Sequence, residues 1–303
     1  MADFTFVMNP VAGKGAARKA VAALERLLRA SDLSFEIVST EYPGHATALA
    51  RAASTPIVVA VGGDGTVNEV ANGLVGSSKV MGIIPTGSGN DFVKSIGIPR
   101  NLRKALDVLK RRVVRKIDVG CVSCGKTQNG STTYAPERYF VNGIGTGFDA
   151  EVAQRVSQIR RLTGTLLYLT AVLQTLGVYK APYFRISADG RQSEGKRLLI
   201  ATGNGKCAGG GFYLTPDADV SDGMLDLCMI EDVNLARILR LIPAVMRGKP
   251  VHDPHVAYER AAKIKLESPD TFCVHADGEV IGRGVNAVRM EVLPGALTVI
   301  GGG

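Results

Sequence analysis

Val61-Gly62-Gly63-Asp64-Gly65-Thr66-Val67-Asn68-Glu69 closes an apolar run, Pro56 to Val61, and opens a helical pattern. The run reads as a buried strand, and the three glycines around one carboxylate strip side chains from the backbone where a helix begins. Amides exposed in this way close on phosphate oxygens, and the helix N-terminus behind them adds its partial positive charge. Asp64 stands where it can meet a metal ion or an acceptor hydroxyl.

Two further junctions have the same character. Phe4 to Met8 reads as a buried strand, followed by Asn9-Pro10-Val11-Ala12-Gly13-Lys14-Gly15 and a helix whose apolar face is Val21, Leu24 and Leu28. Val80 to Ile84 is another short strand, followed by Pro85-Thr86-Gly87-Ser88-Gly89-Asn90-Asp91-Phe92. With Ser34 to Ser39 as a fourth strand and helices between, the alternation predicts a parallel sheet covered on both faces. In such a sheet the strand-to-helix junctions share one edge, and that edge is where ligands bind.

Common phosphate motifs do not fit. Gly13-Lys14 lacks the Walker spacing and the Ser or Thr that should follow. Gly145-Thr146-Gly147-Phe148-Asp149-Ala150 matches a dinucleotide fingerprint, but no Asp or Glu occurs between Glu151 and Asp189 to hold a ribose, so the match is discounted.

Taken together, Asn9-Pro10 with Gly13-Lys14-Gly15, the Gly62-Gly63-Asp64-Gly65-Thr66 turn with Asn68-Glu69, the Pro85 to Phe92 motif and the late Asp277-Gly278-Glu279 resemble the diacylglycerol kinase catalytic family. That family includes bacterial soluble lipid kinases and the sphingosine and ceramide kinases. The resemblance implies an α/β first domain with a parallel sheet, like those of phosphofructokinase and NAD kinase. It also implies a mainly antiparallel β-sandwich second domain, with the active site in the cleft between the two. It implies ATP and Mg2+ as cofactors and a lipid as acceptor, diacylglycerol by default and ceramide or another sphingoid lipid next.

The bulk properties are compatible. A chain of 303 residues exceeds the usual single-domain size. The expected division is 1–118, completed by 293–303, for the nucleotide and 119–292 for the lipid. The start of the chain carries no basic-led apolar signal, and no apolar run is long enough to span a bilayer. Five scattered cysteines, with one Cys121-x-x-Cys124 pair, read as reduced thiols in a cytosol. The net charge of +8 is concentrated between Arg100 and Lys116, which hold eight basic residues and one acidic, Asp107. A helix there buries Leu102, Ala105, Leu106 and Leu109 and exposes Arg103, Lys104, Lys110 and Arg111. Its charge predicts either a solvated face or peripheral attraction to an anionic membrane. Nucleic acid is disfavoured because no basic stretch is interleaved with stacking aromatics and Trp is absent. A homodimer is left open.

Beyond residue 118 extended segments dominate: Arg138 to Asn142, Tyr183 to Ala188, Lys196 to Thr202, Met224 to Ile230, His255 to Glu259, Thr271 to His275 and Val285 to Val292. Asp189-Gly190 and Asp277-Gly278 punctuate them as turns, and Cys121 to Arg138 reads as a loop near the boundary. Leu162 to Val178, preceded by Arg160 and Arg161, reads as a packed apolar helix, and the resemblance makes it a wall of the lipid site. Leu235 to Arg247 reads as amphipathic, with Leu235, Ile238, Leu239, Ile242 and Val245 apolar; core packing is the default and membrane contact the less favoured alternative.

Phosphoryl transfer to an alcohol needs metal-bridged phosphates, cradling amides and a carboxylate to take the hydroxyl proton. Asp64, Asp277 and Glu279 are the candidates. Asp277 and Glu279, two residues apart on an extended segment, would face one side and share a cation or divide the roles of base and ligand. By resemblance the base is either the carboxylate of the Gly-Gly-Asp-Gly turn or that of the late Asp-Gly-Glu turn; Asp277 is favoured, with Asp64 organising magnesium and phosphate. Resemblance also implies that Asn9, Thr40, Gly62, Gly63, Gly65, Thr66, Thr86, Gly87, Ser88 and Asn90 hold the nucleotide. Asp91 would hold metal-bound water. The acidic stretch Leu214 to Met224 would hold a structural magnesium through Asp222 first, then Asp219, with Met224 alongside. An NAD-kinase-type enzyme and a non-catalytic sensor are the rival readings.

Overall fold

The computed structural model describes residues 2–10, 16–159, 164–176 and 179–302. Gly13-Lys14-Gly15, Arg160, Arg161 and both ends of the Leu162 to Val178 helix therefore lie outside the described residues. The chain forms two compact units: Met1–Val119 with Pro294–Gly303, and Gly120–Leu293.

In the first unit β1 (Phe4–Met8), β2 (Phe35–Ser39), β3 (Ile57–Gly62) and β4 (Val80–Pro85) alternate with α1 (Ala16–Arg29), α2 (His45–Ala52), α3 (Asp64–Leu74), α4 (Phe92–Ser95) and α5 (Leu102–Arg111). β1 lies between β2 and β3, β3 pairs with β4, and every one of these pairings is parallel. β1 and β3 are buried at every position, as strands covered on both faces must be. α3 packs Val67, Val70, Ala71 and Leu74 inward at helical spacing. α5 exposes Arg103, Lys104, Lys110 and Arg111 and buries Ala105, Leu106, Val108 and Leu109. Other basic residues of that region serve the fold: Arg112 pairs with Asp3, and Arg115 donates to the Ser95 carbonyl.

The second unit is mainly antiparallel. Its strands are β5 (Val114–Gln128), which starts in the first unit, β6 (Ser131–Tyr134), β7 (Arg138–Phe140), β8 (Gly143–Gly147), β9 (Tyr183–Ala188), β10 (Arg191–Gly203), β11 (Leu225–Glu231), β12 (Val256–Ala261), β13 (Lys263–Ala276) and β14 (Glu279–Ile300). The last residues of β14 return to the first unit, where Thr298 and Val299 pair in parallel with Val80 and Met81. Its helices are α6 (Phe148–Gln158), α7 (Gly164–Leu176) and α8 (Leu235–Val245). Strand alternation sends Leu225, Leu227 and Met229 into one core with Phe184 and Phe272, and Cys228 and Ile230 into another beneath the helices with Phe148 and Leu241.

One expectation is overturned here. Cys121 to Arg138 is not a loop: Gly125 to Gln128 pair with Ser131 to Tyr134. Asn129 and Gly130 both take positive φ, 51° and 77°, the conformation of a tight two-residue hairpin turn. Polar Ser and Thr disguise these strands, yet β-branched Thr suits a half-exposed edge.

Candidate active site

In the first unit the carboxyl ends of the strands come together. Asn9 N–H donates to the Val61 carbonyl at 3.1 Å, Thr40 N–H to Met8 at 2.8 Å, and Thr86 N–H to Gly62 at 2.8 Å. Asn9 Nδ2 donates to Thr66 Oγ1 at 3.2 Å. The turns after β3 and β4 touch backbone to backbone, because a Cβ on Gly87 would fall 2.4 Å from the α-carbon of Gly63. Asn90, left-handed at φ 50°, locks the second turn: its Oδ1 accepts from Gly87 N–H and its Nδ2 donates to the Gly87 carbonyl. Its role is thus to shape the loop. Gly65 is exposed, and a Cβ there would meet nothing within 4 Å, so the protein's own packing does not require glycine at that position.

Asp64 reaches across to α4. Its Oδ1 accepts from the backbone N–H of Asp91 at 2.8 Å and of Phe92 at 3.3 Å, so this carboxylate caps the helix that follows the second turn. A Cβ on Gly89 would lie 2.9 Å from Asp64 Oδ2 and 3.7 Å from Asp91 Oδ2, so the two carboxylates flank one glycine. Lys94 bridges to Asp91 Oδ1 at 2.7 Å. Arg100, the first residue of the basic run, donates to the carbonyl of exposed Ser88 at 2.6 Å and so stands at this loop. Its proximity was hidden from sequence reasoning by the eleven intervening residues of turn and short helix. Thr86 Oγ1 is buried with no hydrogen-bond partner. A phosphate oxygen is an acceptor such a hydroxyl can serve, and the side-chain-free turns leave room for it.

Two residues of the motif support the scaffold. Glu69 Oε2 accepts from Ala46 N–H at 3.0 Å and its carbonyl from Thr47 Oγ1 at 2.8 Å, which ties α2 to α3. His45 stacks on Tyr42 and accepts from Glu41 N–H through Nδ1.

In the second unit the Asp277-Gly278 turn links β13 to β14. Both residues have positive φ, 48° and 87°, so Asp277 is not extended and, against expectation, does not share a strand face with Glu279. The Asp277 carboxylate accepts from the N–H groups of Val141, Asn142 and Gly143 at 2.9, 3.0 and 2.8 Å, and Asp277 N–H donates back to the Gly143 carbonyl at 2.9 Å. Asp189 repeats the device at φ 47°, accepting from Ala262 and Lys263 N–H, and those two bonds hold its carboxyl below the usual carboxylate range. Glu279, by contrast, is half exposed and forms a two-pronged pair with Arg138 at 2.9 and 3.4 Å. His275, 5 % exposed, accepts from Gly278 N–H through Nδ1, which fixes the turn from beneath.

The acidic stretch before β11 departs from expectation at its first-choice residue. Asp222 Oδ1 accepts from Met224 N–H, and its Oδ2 is held by the Arg260 guanidinium, a cation already in place. Asp219 Oδ1 accepts from the N–H and Oγ of Ser221. Asp226 lies deeper and was missed, since its place inside a strand pattern gave no signal. Burial, with the charges of Asp217 and Asp219 beside it, pushes its carboxyl up to about 6. Among the described residues no three His, Cys, Asp or Glu side chains gather closely enough to form a metal centre alone. Asp217 and Asp219 stand near enough to Asp226 to raise it, while Arg260 Nε lies 3.6 Å from Asp226 Oδ2, and of the Asp64 and Asp91 pair Asp91 already holds Lys94; a hard cation at either place would take carbonyls and waters as further ligands.

Beneath the helices of the second unit is an apolar slit of about 70 Å3, lined by Phe148, Val172, Leu198, Phe212, Ile238 and Ile242 among others. Val172 comes from α7, the helix expected to wall a lipid site. No described helix is long and apolar enough to cross a membrane. The cysteines form no disulfide among the described residues. Burial pushes the Cys121 and Cys124 thiols up to about 11, so neither is a thiolate at neutral pH.

Comparison with known proteins adds a second kind of observation. Residues 3–122 match the family model of the diacylglycerol kinase catalytic domain, and residues 142–301 that of the YegS C-terminal NAD kinase beta sandwich-like domain. The chain is 31 % identical over 283 residues to the diacylglycerol kinase of Bacillus subtilis (strain 168), covering 91 % of this chain and 89 % of that one. It is 34 % identical over 280 residues to the diacylglycerol kinase of Mycobacterium tuberculosis (strain ATCC 25618 / H37Rv), covering 91 % and 88 %. A crystal structure of a diacylglycerol kinase from Bacillus anthracis str. Sterne superposes with a TM-score of 0.72 at 23 % identity, over 99 % of this chain and 97 % of that one, a likeness of fold.

Proposed function

The chain belongs to the diacylglycerol kinase catalytic family, and on that premise we propose that it transfers the γ-phosphate of ATP to a hydroxyl of a membrane lipid, diacylglycerol first. It is a kinase with a two-domain architecture. The observation that carries the finer reading is the pair of glycine turns pressed backbone against backbone, with the Asp64 carboxylate fixed beside them and the Thr86 hydroxyl buried and unpartnered.

The amides of Gly63 and Gly65 would cradle the phosphates beside the side-chain-free Gly87, with Thr66, Thr86 and Ser88 supplying hydroxyls and Asn9 and Thr40 lining the strand ends. Arg100 at the Ser88 carbonyl adds positive charge at the same loop. Asp64 and Asp91 would hold Mg2+, which supplies neutralisation of the phosphate charge when bound. A second Mg2+ would be structural, with Asp219 as its carboxylate ligand and carbonyls and waters completing the shell; Asp222 and Met224 would shape that loop.

Of the two turns that can supply the base, the late one is favoured, but through Glu279. Three backbone N–H bonds occupy most of the Asp277 carboxylate's acceptor sites, whereas Glu279 is solvent-facing and oriented by Arg138. Glu279 would take the hydroxyl proton, a contribution of about 10²–10⁴-fold. Asp277 would be a positioning residue that sets the turn. The apolar slit would widen to receive an acyl chain, and the basic face of α5 would draw the protein to an anionic cytoplasmic membrane surface.

The test is to incubate the purified protein with γ-labelled ATP, magnesium and, separately, diacylglycerol, monoacylglycerol, ceramide, sphingosine and NAD. Label in phosphatidate is expected. Label in ceramide phosphate alone would move the acceptor within the lipid class, and label only in NADP would overturn the lipid reading.

A further inference from the structure

We infer that α8 is the element that enters the bilayer, laying an apolar stripe into an anionic leaflet beside the acyl slit. Leu235, Leu239, Ile242 and Met246 recur along one stripe of this helix and its C-cap, and Leu235, Leu239 and Met246 are 53, 45 and 44 % exposed. They are the large exposed apolar side chains of the second unit among the described residues. The core-facing side is already satisfied, with Ile238, Leu241 and Val245 buried, so this second stripe is more than the fold requires.

The charge beside it selects the partner. From Leu235 to Lys249 the sequence holds Arg237, Arg240, Arg247 and Lys249 and no acidic residue. Arg237 turns inward to Asp253 at 3.5 Å, while Arg240 and Arg247, one above the other two turns apart, are exposed. An apolar stripe flanked by arginines matches an anionic leaflet, with acyl chains taking the leucines and headgroup phosphates the guanidinium groups. Ile242 joins the two features: it belongs to the stripe and also lines the slit, so a chain leaving the leaflet past α8 meets apolar surface throughout. The inference rests on the lipid-kinase reading for its purpose, not for its geometry.

The test is the triple variant Leu235→Gln, Leu239→Gln, Met246→Gln, whose sites are exposed and whose folding is checked by thermal melting. Co-sedimentation with vesicles of phosphatidylglycerol and phosphatidylcholine should fall about tenfold or more. Phosphorylation of long-chain diacylglycerol in those vesicles should fall in parallel, while the rate on water-dispersed dihexanoylglycerol stays unchanged. Arg240→Gln with Arg247→Gln should weaken binding to anionic vesicles and leave binding to neutral ones alone. Unchanged vesicle binding in the triple variant overturns the inference. So does a wild-type dimer that this variant turns into monomers, since the stripe would then be covered by a second copy. Failure of the kinase reading shows separately, as a wild-type protein that binds vesicles and phosphorylates neither acylglycerol.

Discussion

Asp277 is the residue at which sequence and structure part most instructively. Its repetition of Ala188-Asp189-Gly190 is visible in the sequence, and the structure makes the two turns alike in φ and in the capture of neighbouring backbone N–H groups. What the sequence could not reveal is which strand supplies those donors, because Val141 to Gly143 lie more than a hundred residues away. Asp277→Asn would turn an amide toward three N–H groups at an 8 % exposed site. We expect it to lower stability by about 1–3 kcal/mol, read as a fall in melting temperature. Asp189→Asn, at an exposed turn, should cost distinctly less. Equal melting temperatures for Asp277→Asn and wild type would remove Asp277 from the positioning role. The glycine turns of the first unit were more legible, since glycine next to glycine has few other uses at a strand end. The clamp of Asn90 on Gly87 and the reach of Asp64 to α4 needed coordinates.

Among the elements, α5 separates two uses of positive charge. Arg103, Lys104, Lys110 and Arg111 stay exposed as amphipathic spacing requires, whereas Arg100, Arg112 and Arg115 serve the protein itself. Neutralising the four exposed residues to Gln should weaken binding to anionic vesicles and flatten its salt dependence, measured by co-sedimentation across a salt series. Unchanged binding would leave α5 a solvated face. β11 carries a pH-dependent element. Asp226, pushed up to about 6 by burial and by Asp217 and Asp219, keeps its proton in the folded protein at pH values where the unfolded chain has released it. Stability therefore falls as pH rises through that interval, and the cost is fully present above about pH 6. Allowing for solvent screening and for the Arg260 guanidinium 3.6 Å from its Oδ2, Asp226→Asn should gain about 1 kcal/mol at neutral pH in chelator-treated buffer, with the gain vanishing toward pH 4. A pH-independent difference in urea midpoints would contradict this. Periodicity found the helices and the buried strands of the first unit because hydrophobic spacing dictates them. It missed the β5 to β6 hairpin because exposed Thr-rich strands have no apolar alternation, although Asn129-Gly130 carried the turn signal.

At the scale of the whole molecule, the chain builds a parallel α/β unit, then a mainly antiparallel one, and returns at its end to add Thr298 and Val299 beside β4. The motif order from Asn9 to Glu279 spans both units, which is why resemblance reached the family where strand patterns alone would have stopped at two domains. In the proposed reaction the first unit would hold the triphosphate and the second would supply the proton acceptor. Single-turnover phosphoryl transfer from γ-labelled ATP to diacylglycerol, measured together with nucleotide affinity in wild type and Glu279→Gln, tests that division most directly. We predict a fall in transfer of about 10²-fold or more, with nucleotide affinity within a few fold of wild type and an unchanged melting temperature. Transfer at the wild-type rate in Glu279→Gln would contradict it.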